Sequence, residues 1–176
     1  MAKVQAGDLH FMGLLFKRYH RELYGFFYHM CNCPQVSEDM VQNSFYRMIK
    51  YSASFTGEGS FRGWMYQLAR NVLLDNIKKE RNRREEYDIS NYSESIDSGT
   101  GADEILHKAE QAAQVKVALS RLSPALREVL VMSEYQDLKY REIASILSIS
   151  EGAVKVRVHR AMNELKNIYL KYEYQR

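Results

Sequence analysis

Cysteine, proline, tryptophan and long apolar runs are all scarce in this chain of 176 residues, which has two cysteines, two prolines and one tryptophan. Each shortage excludes something. Cys31 and Cys33 stand one residue apart, which suits neither an ordinary disulfide nor a complete zinc site, because two thiolates still need two further ligands. Two prolines beside 13 tyrosines do not make the composition of a disordered tail. No apolar stretch approaches the roughly 20 residues that cross a bilayer, so no membrane insertion is expected. The start, MAKVQAGDLHF, lacks a charged segment followed by an apolar block; without a secretion leader, the expected compartment is the cytoplasm. There is no Gly-x-x-x-x-Gly-Lys loop and no two-Cys, two-His arrangement, so no cofactor is expected. His10, His20, His29, His107 and His159 have no paired carboxylate at catalytic spacing, which argues against an enzyme.

Apolar residues make up 45% of the chain, enough for one moderate core or two small ones. The net charge of +3 is too small to argue for nucleic acid, but it is unevenly placed. Residues 70–84 hold six Arg or Lys against two acids, whereas residues 85–104 hold seven acids and no base. The acidic stretch is also rich in Ser, Gly and Asn and has no helical repeat, which reads as a flexible linker between two helical domains, 1–84 and 105–176.

Strand-like alternation is absent, so the fold class expected is all-α. Leu9, Met12, Leu15, Phe16, Tyr19, Leu23, Phe26, Phe27 and Met30 recur at three and four, as do Met40, Val41, Phe45, Met48 and Ile49. Each set predicts an amphipathic helix. A third follows FTGEGS, with Phe61, Trp64, Met65, Leu68, Ala69, Val72 and Ile77 inward; its helical phase buries Trp64. After the linker a helix is expected from about residue 103. Ser123 and Pro124 then supply an N-cap and first position for another over PALREVLVMSEY. KYREIASILS makes the next, and Ser150 caps a last helix from Glu151 to Lys166 or beyond.

In that last helix Ala153, Val154, Val158, Ala161 and Leu165 face inward, leaving Gly152, Lys155, Val156, His159, Arg160 and Asn163 outside. A basic outer face is often merely solvated. Here a short helix and a three-to-four-residue turn precede it, which is helix-turn-helix spacing, with the second helix entering the DNA major groove. Lys and Arg donate to guanine, and Val156 suits a thymine methyl. The third helix carries a second outward stripe, Gln67, Asn71, Asp75 and Lys78, flanked by Arg70 and Lys79. Amides suit exposed base edges and cations suit phosphates.

Three blocks resemble the extracytoplasmic-function group of bacterial sigma factors, the promoter-recognition subunits of RNA polymerase that keep two conserved domains and a linker. EDMVQNSFYRMI at 38–49 is similar to the family's acidic, apolar and Gln-x-x-Phe block. FTGEGSFRGWMYQLARNVLLDNIKK at 55–79 resembles its promoter-melting helix. LSPALREVLVMSEYQDLKYREIASILSISEGAVKVRVHRAMNEL resembles its C-terminal domain. The resemblance implies polymerase docking by Glu38, Asp39, Met40, Val41, Gln42 and Phe45, with Val41 and Phe45 sharing core roles. It implies reading of the -10 element by Gln67, Arg70, Asn71, Asp75, Lys78 and Lys79. The loop Phe55–Ser60 would hold a flipped base, with Phe55 either its wall or a packing residue. The -35 contacts carried over are Lys155, Val156, His159 and Arg160, with Arg157 on phosphate. Ala153 and Val156 stand where the family often has Thr and Ser, so a hydroxyl contact is missing.

The implied partners are core RNA polymerase, promoter DNA and an anti-sigma protein, with the free chain a monomer. Two weak DNA contacts on a flexible linker become one specific contact only when polymerase fixes their separation. The rival reading is a dimeric helix-turn-helix repressor or activator on a palindromic operator.

Overall fold

Every described element is a helix because the three- and four-residue apolar spacing runs through both halves of the chain. The computed structural model describes residues 1–86 and 113–173. Helix α1 (Ala2–Gln5) is followed by α2 (His10–Cys31), α3 (Pro34–Lys50) and a single 3-10 turn (Ser52–Ser54). Then come α4 (Phe61–Glu86), α5 (113–121), α6 (Pro124–Leu130), α7 (Tyr140–Leu147) and α8 (Glu151–Glu173). Most of the expected linker, and the helix start near residue 103, lie outside the described residues.

The N-terminal half is a three-helix bundle. Helix α2 ends at Asn32, whose φ of 55° is left-handed, a conformation Asn tolerates better than most residues. Pro34 then opens α3, where its missing N–H costs nothing. Leu23, Phe26, Phe27 and Met30 of α2 meet Met40, Val41, Phe45 and Met48 of α3, and Met65, Tyr66, Ala69, Val72 and Leu73 of α4 close the core. Buried Ser37 and Ser44 return their hydroxyls to the carbonyls of Cys33 and Met40, at 2.7 and 2.8 Å, so neither is left unpaired. Gln5 Nε2 donates to the carbonyls of Ser52 and Phe55, both at 2.8 Å, tying the N-terminus to the loop that leaves α3.

The second half packs α6 and α7 against α8 through Val129, Leu130, Ile143, Ile146, Val154, Val158 and Ala161. Helix α6 runs on through a π turn (Val131–Tyr135). Ser123 sits at the α6 N-cap but makes no side-chain cap bond, whereas Ser150 Oγ accepts from Ala153 N–H at 3.1 Å as expected. Helix α8 runs well past Lys166, to Glu173.

Several apolar expectations fail for local reasons. Leu9 (56%), Phe16 (39%), Ile49 (39%) and Ile77 (50%) are exposed. Leu9 precedes the first turn of α2, and Ile77 lies beyond the last turn of α4 whose inner residue, Leu73, is covered. Phe16 caps Phe45 from outside, with ring centroids 4.9 Å apart. Trp64 is half-buried rather than enclosed, and its Nε1 donates to Ser54 Oγ at 3.1 Å.

Candidate nucleic-acid interface

Helices α7 and α8 are joined by residues 148–150, with Ser148 left-handed at φ 55°. Ile149 N–H reaches back to the Ala144 carbonyl at 3.0 Å, which ends α7 and swings α8 across it. Val154, Val158 and Ala161 are buried, and Lys155, Val156, His159 and Arg160 are exposed together. Val156 is 67% exposed, so its methyl groups are open to an apolar contact. His159 Nδ1 lies 3.3 Å from Asn163 Nδ2, so the amide can donate to the ring and leave the other nitrogen facing out. Arg157 is half-buried, less open than these residues.

On α4, Gln67, Asn71, Asp75, Lys78 and Lys79 are exposed, while Arg47 of α3 holds Asp75 Oδ2 at 2.7 Å. Arg70 is drawn aside and binds Glu128 of α6 through Nε at 2.9 Å. Burial raises the Glu128 carboxyl above its ordinary value, and the charges of Arg70 and Arg157 pull it back. The loop between the 3-10 turn and α4 bends at Gly57 and Gly59, whose φ of 81° and 86° favour glycine. Phe55 leans on Phe61 and Trp64 at 5.9 and 5.3 Å. The Phe55 and Trp64 rings wall a cavity of about 540 Å³, bounded also by Gln67 and by Arg141, Glu142 and Ser145 of α7. Phe55 is therefore both a packing residue and a wall.

On the far face of the first half, Glu38, Asp39 and Gln42 are exposed, whereas Met40, Val41 and Phe45 are 2 to 5% exposed and belong to the core. A second cavity of about 410 Å³ opens between α2 and α3, lined by Phe16, His20, Arg21, Tyr24, Glu38, Val41 and Gln42. Phe16 and His20 stack there with centroids 5.0 Å apart. The α2 contribution was hidden in the sequence because Phe16 counts equally well toward an inner stripe. The spacing of residues 16, 20 and 24 was its only signal.

The family model for Sigma-70 region 2 matches residues 15–83, and that for Sigma-70 region 4 matches residues 112–165. The two regions together span most of the chain, which belongs to the Sigma-70 family of sigma factors. Among curated relatives, it is 25% identical to the sigma factor SigE of Mycolicibacterium smegmatis over 158 residues, which covers 90% of this chain and 61% of SigE. BldN of Streptomyces coelicolor is 28% identical over 171 residues, covering 94% of this chain and 63% of BldN. The chain thus spans less than two thirds of those two relatives. It spans 91% of SigW of Bacillus subtilis, at 25% identity over 174 residues and 93% of this chain. Among solved structures, RpoE of Bartonella quintana in complex with the anti-sigma factor NepR has a similar fold. Its TM-score is 0.72 at 22% identity, covering 89% of this chain and 94% of that one. CnrH, in complex with the cytosolic domain of CnrY, gives a TM-score of 0.71 at 20% identity, covering 95% and 92%.

In this sigma factor the two matched regions touch. Arg62 Nη2 binds Glu22 at 2.7 Å and the Gln136 carbonyl at 2.5 Å. The buried Tyr66 hydroxyl lies 2.7 Å from Gln136 Oε1 and 3.0 Å from Glu22 Oε1. Among the described residues no three His, Cys, Asp or Glu side chains cluster to hold a metal, and no helix is long and apolar enough to cross a membrane.

Proposed function

We propose that this chain docks on core RNA polymerase and directs promoter-specific initiation by engaging -10 and -35 elements together. The first unit, 1–84, would dock and read the -10 element; the second, 105–176, would read the -35 element, with the acidic segment 85–104 between them. The observation that carries the reading is the joint outward display of Gln67 and Asn71 on α4 and of Lys155, Val156, His159 and Arg160 on α8, in a chain matched in order by both sigma regions.

On α8 the cations address guanine edges and Val156 a thymine methyl, with Arg157 on phosphate. On α4, Gln67 and Asn71 address bases, while Arg70, Lys78 and Lys79 hold the backbone. Arg47 already occupies one oxygen of Asp75, so Asp75 addresses DNA with the other. The cavity beside Phe55 and Trp64 is large enough for an extruded base and offers it aromatic walls in place of lost stacking. Docking falls to Glu38 and Gln42 at the rim of the α2–α3 cavity and to Asp39, exposed on the same helix, with Met40, Val41 and Phe45 fixing that face from beneath. Polymerase supplies the chemistry, so the chain itself is no enzyme, and its place of work is the cytoplasm. The complexes of RpoE with NepR and of CnrH with CnrY support an anti-sigma partner here too.

The test is transcription reconstituted from purified core polymerase and this chain on a library of promoter fragments. Transcripts sharing spaced -10 and -35 sequences support the reading. A chain that adds nothing to polymerase yet binds a palindrome as a dimer would overturn it.

A further inference from the structure

We propose that Glu128 of the second half stands in for a DNA phosphate in the free chain, holding Arg70 of the first half while α7 closes over the loop cavity. The proposal rests on the promoter-reading role given above to Arg70. Arg70 approaches a single oxygen of Glu128 at 2.9 Å, with side chains only 26% and 11% exposed. A carboxylate of the second half thus holds a cation of the first, as a backbone phosphate would.

The rest of the contact has the same effect. Arg141, Glu142 and Ser145 of α7 form the far wall of the cavity whose near wall is Phe55, Thr56, Gly59 and Trp64. Glu142 is fixed in place because its Oε2 accepts from Lys139 N–H at 3.1 Å. A single strand reaching for the cavity must displace α7. Arg62, Tyr66 and Gln136 latch the same seam. The outer face of α8 and the α4 residues Gln67, Asn71, Asp75, Lys78 and Lys79 stay exposed, so closure withholds Arg70 and the loop cavity and leaves the -35 side open.

The test uses the full chain with Cys31→Ser, Cys33→Ser, Lys50→Cys and Asn167→Cys, spin-labelled at the two new thiols, which lie on exposed helix surfaces in opposite halves. Interlabel distance is measured without polymerase. Binding of a fluorescent random-sequence 20-nucleotide single strand is measured in parallel. Glu128→Gln removes the charge, and Glu128→Lys sets a cation against Arg70; the Gln variant serves if the Lys variant fails to fold. The proposal expects one short distance in the parent chain, a longer or broader one in the variants, and DNA capture about tenfold tighter, the scale of one charge-assisted hydrogen bond. A parent chain already spread apart, or a Glu128→Gln chain unchanged in both readouts, overturns it. Polymerase is absent from both readouts, so a failed sigma assignment would show separately, as closure intact in a chain that polymerase ignores.

Discussion

Replacing Tyr66 with Phe should loosen the seam between the halves without disturbing either core. The ring is fully buried, and Phe fills the same space, so no cavity forms. What disappears is the hydroxyl 2.7 Å from Gln136 Oε1 and 3.0 Å from Glu22 Oε1. Glu22 keeps two bonds from Arg62, at 2.9 and 2.7 Å, and is a quarter exposed, so its loss is small. Gln136 is 6% exposed, and its amide oxygen is left without that partner. An abandoned buried acceptor costs about 1–3 kcal/mol. Taking about 2 kcal/mol and about 1.4 kcal/mol per tenfold, the closed-to-open ratio should fall roughly 30-fold. The same doubly labelled chain reads that ratio as an interlabel distance, and urea unfolding followed by circular dichroism reads total stability. A Tyr66→Phe chain as closed and as stable as its parent would refute the role given to this hydroxyl.

Other outcomes follow from the same geometry. Burial holds the His29 pKa below its ordinary 6.5, helped by Lys116, while its ring lies 4.0 Å from Tyr135 across the seam and Tyr28 flanks it. The neutral ring is therefore favoured when the halves are closed: closure is undiminished well above pH 6.5 and weakens as pH falls through that value toward the depressed one. His29→Phe should flatten the interlabel distance between pH 8 and 6, and a pH dependence surviving in it would contradict the assignment. Ser150→Ala removes the acceptor for Ala153 N–H and should cost about 1 kcal/mol of stability, measured by urea denaturation. Arg160→Ala should weaken promoter binding by the polymerase complex by about 1–3 kcal/mol if it contacts a base. If it contacts phosphate, the log-log salt slope should instead fall by about one in gel-shift titrations.

Much of this architecture was legible because helical periodicity is a local property. The α8 face follows directly from it: Val154, Val158 and Ala161 point in, Lys155, Val156, His159 and Arg160 point out, and Ser150 caps. The failures fall where a neighbour, rather than the helix itself, decides. Periodicity puts Phe16 on an inner stripe, but its ring ends up outside Phe45 at the mouth of a cavity. Tyr66 and Gln136 read as an ordinary aromatic and an ordinary loop amide, since nothing in 70 residues of separation announces their bond. Glu128 belongs to a block whose resemblance explains it as part of the C-terminal domain, and only the fold sets it against Arg70. Cys31 and Cys33 stand as free thiols, and Cys31 Sγ lies 3.4 Å from Ser37 Oγ.

The central claim is docking on polymerase through the exposed face of α3, where Glu38 and Gln42 line the α2–α3 cavity and Asp39 stands exposed on the same helix. The most direct measurement is the affinity of the fluorescently labelled chain for purified bacterial core RNA polymerase, beside a chain carrying Asp39→Ala and Gln42→Ala. Both side chains are exposed, so the double variant should fold as its parent does. The account predicts tight, saturable binding by the parent and a loss of at least tenfold in the variant, on the scale of two interface contacts worth about 1 kcal/mol each. A parent chain that does not bind polymerase, or a variant that binds equally well, would contradict it.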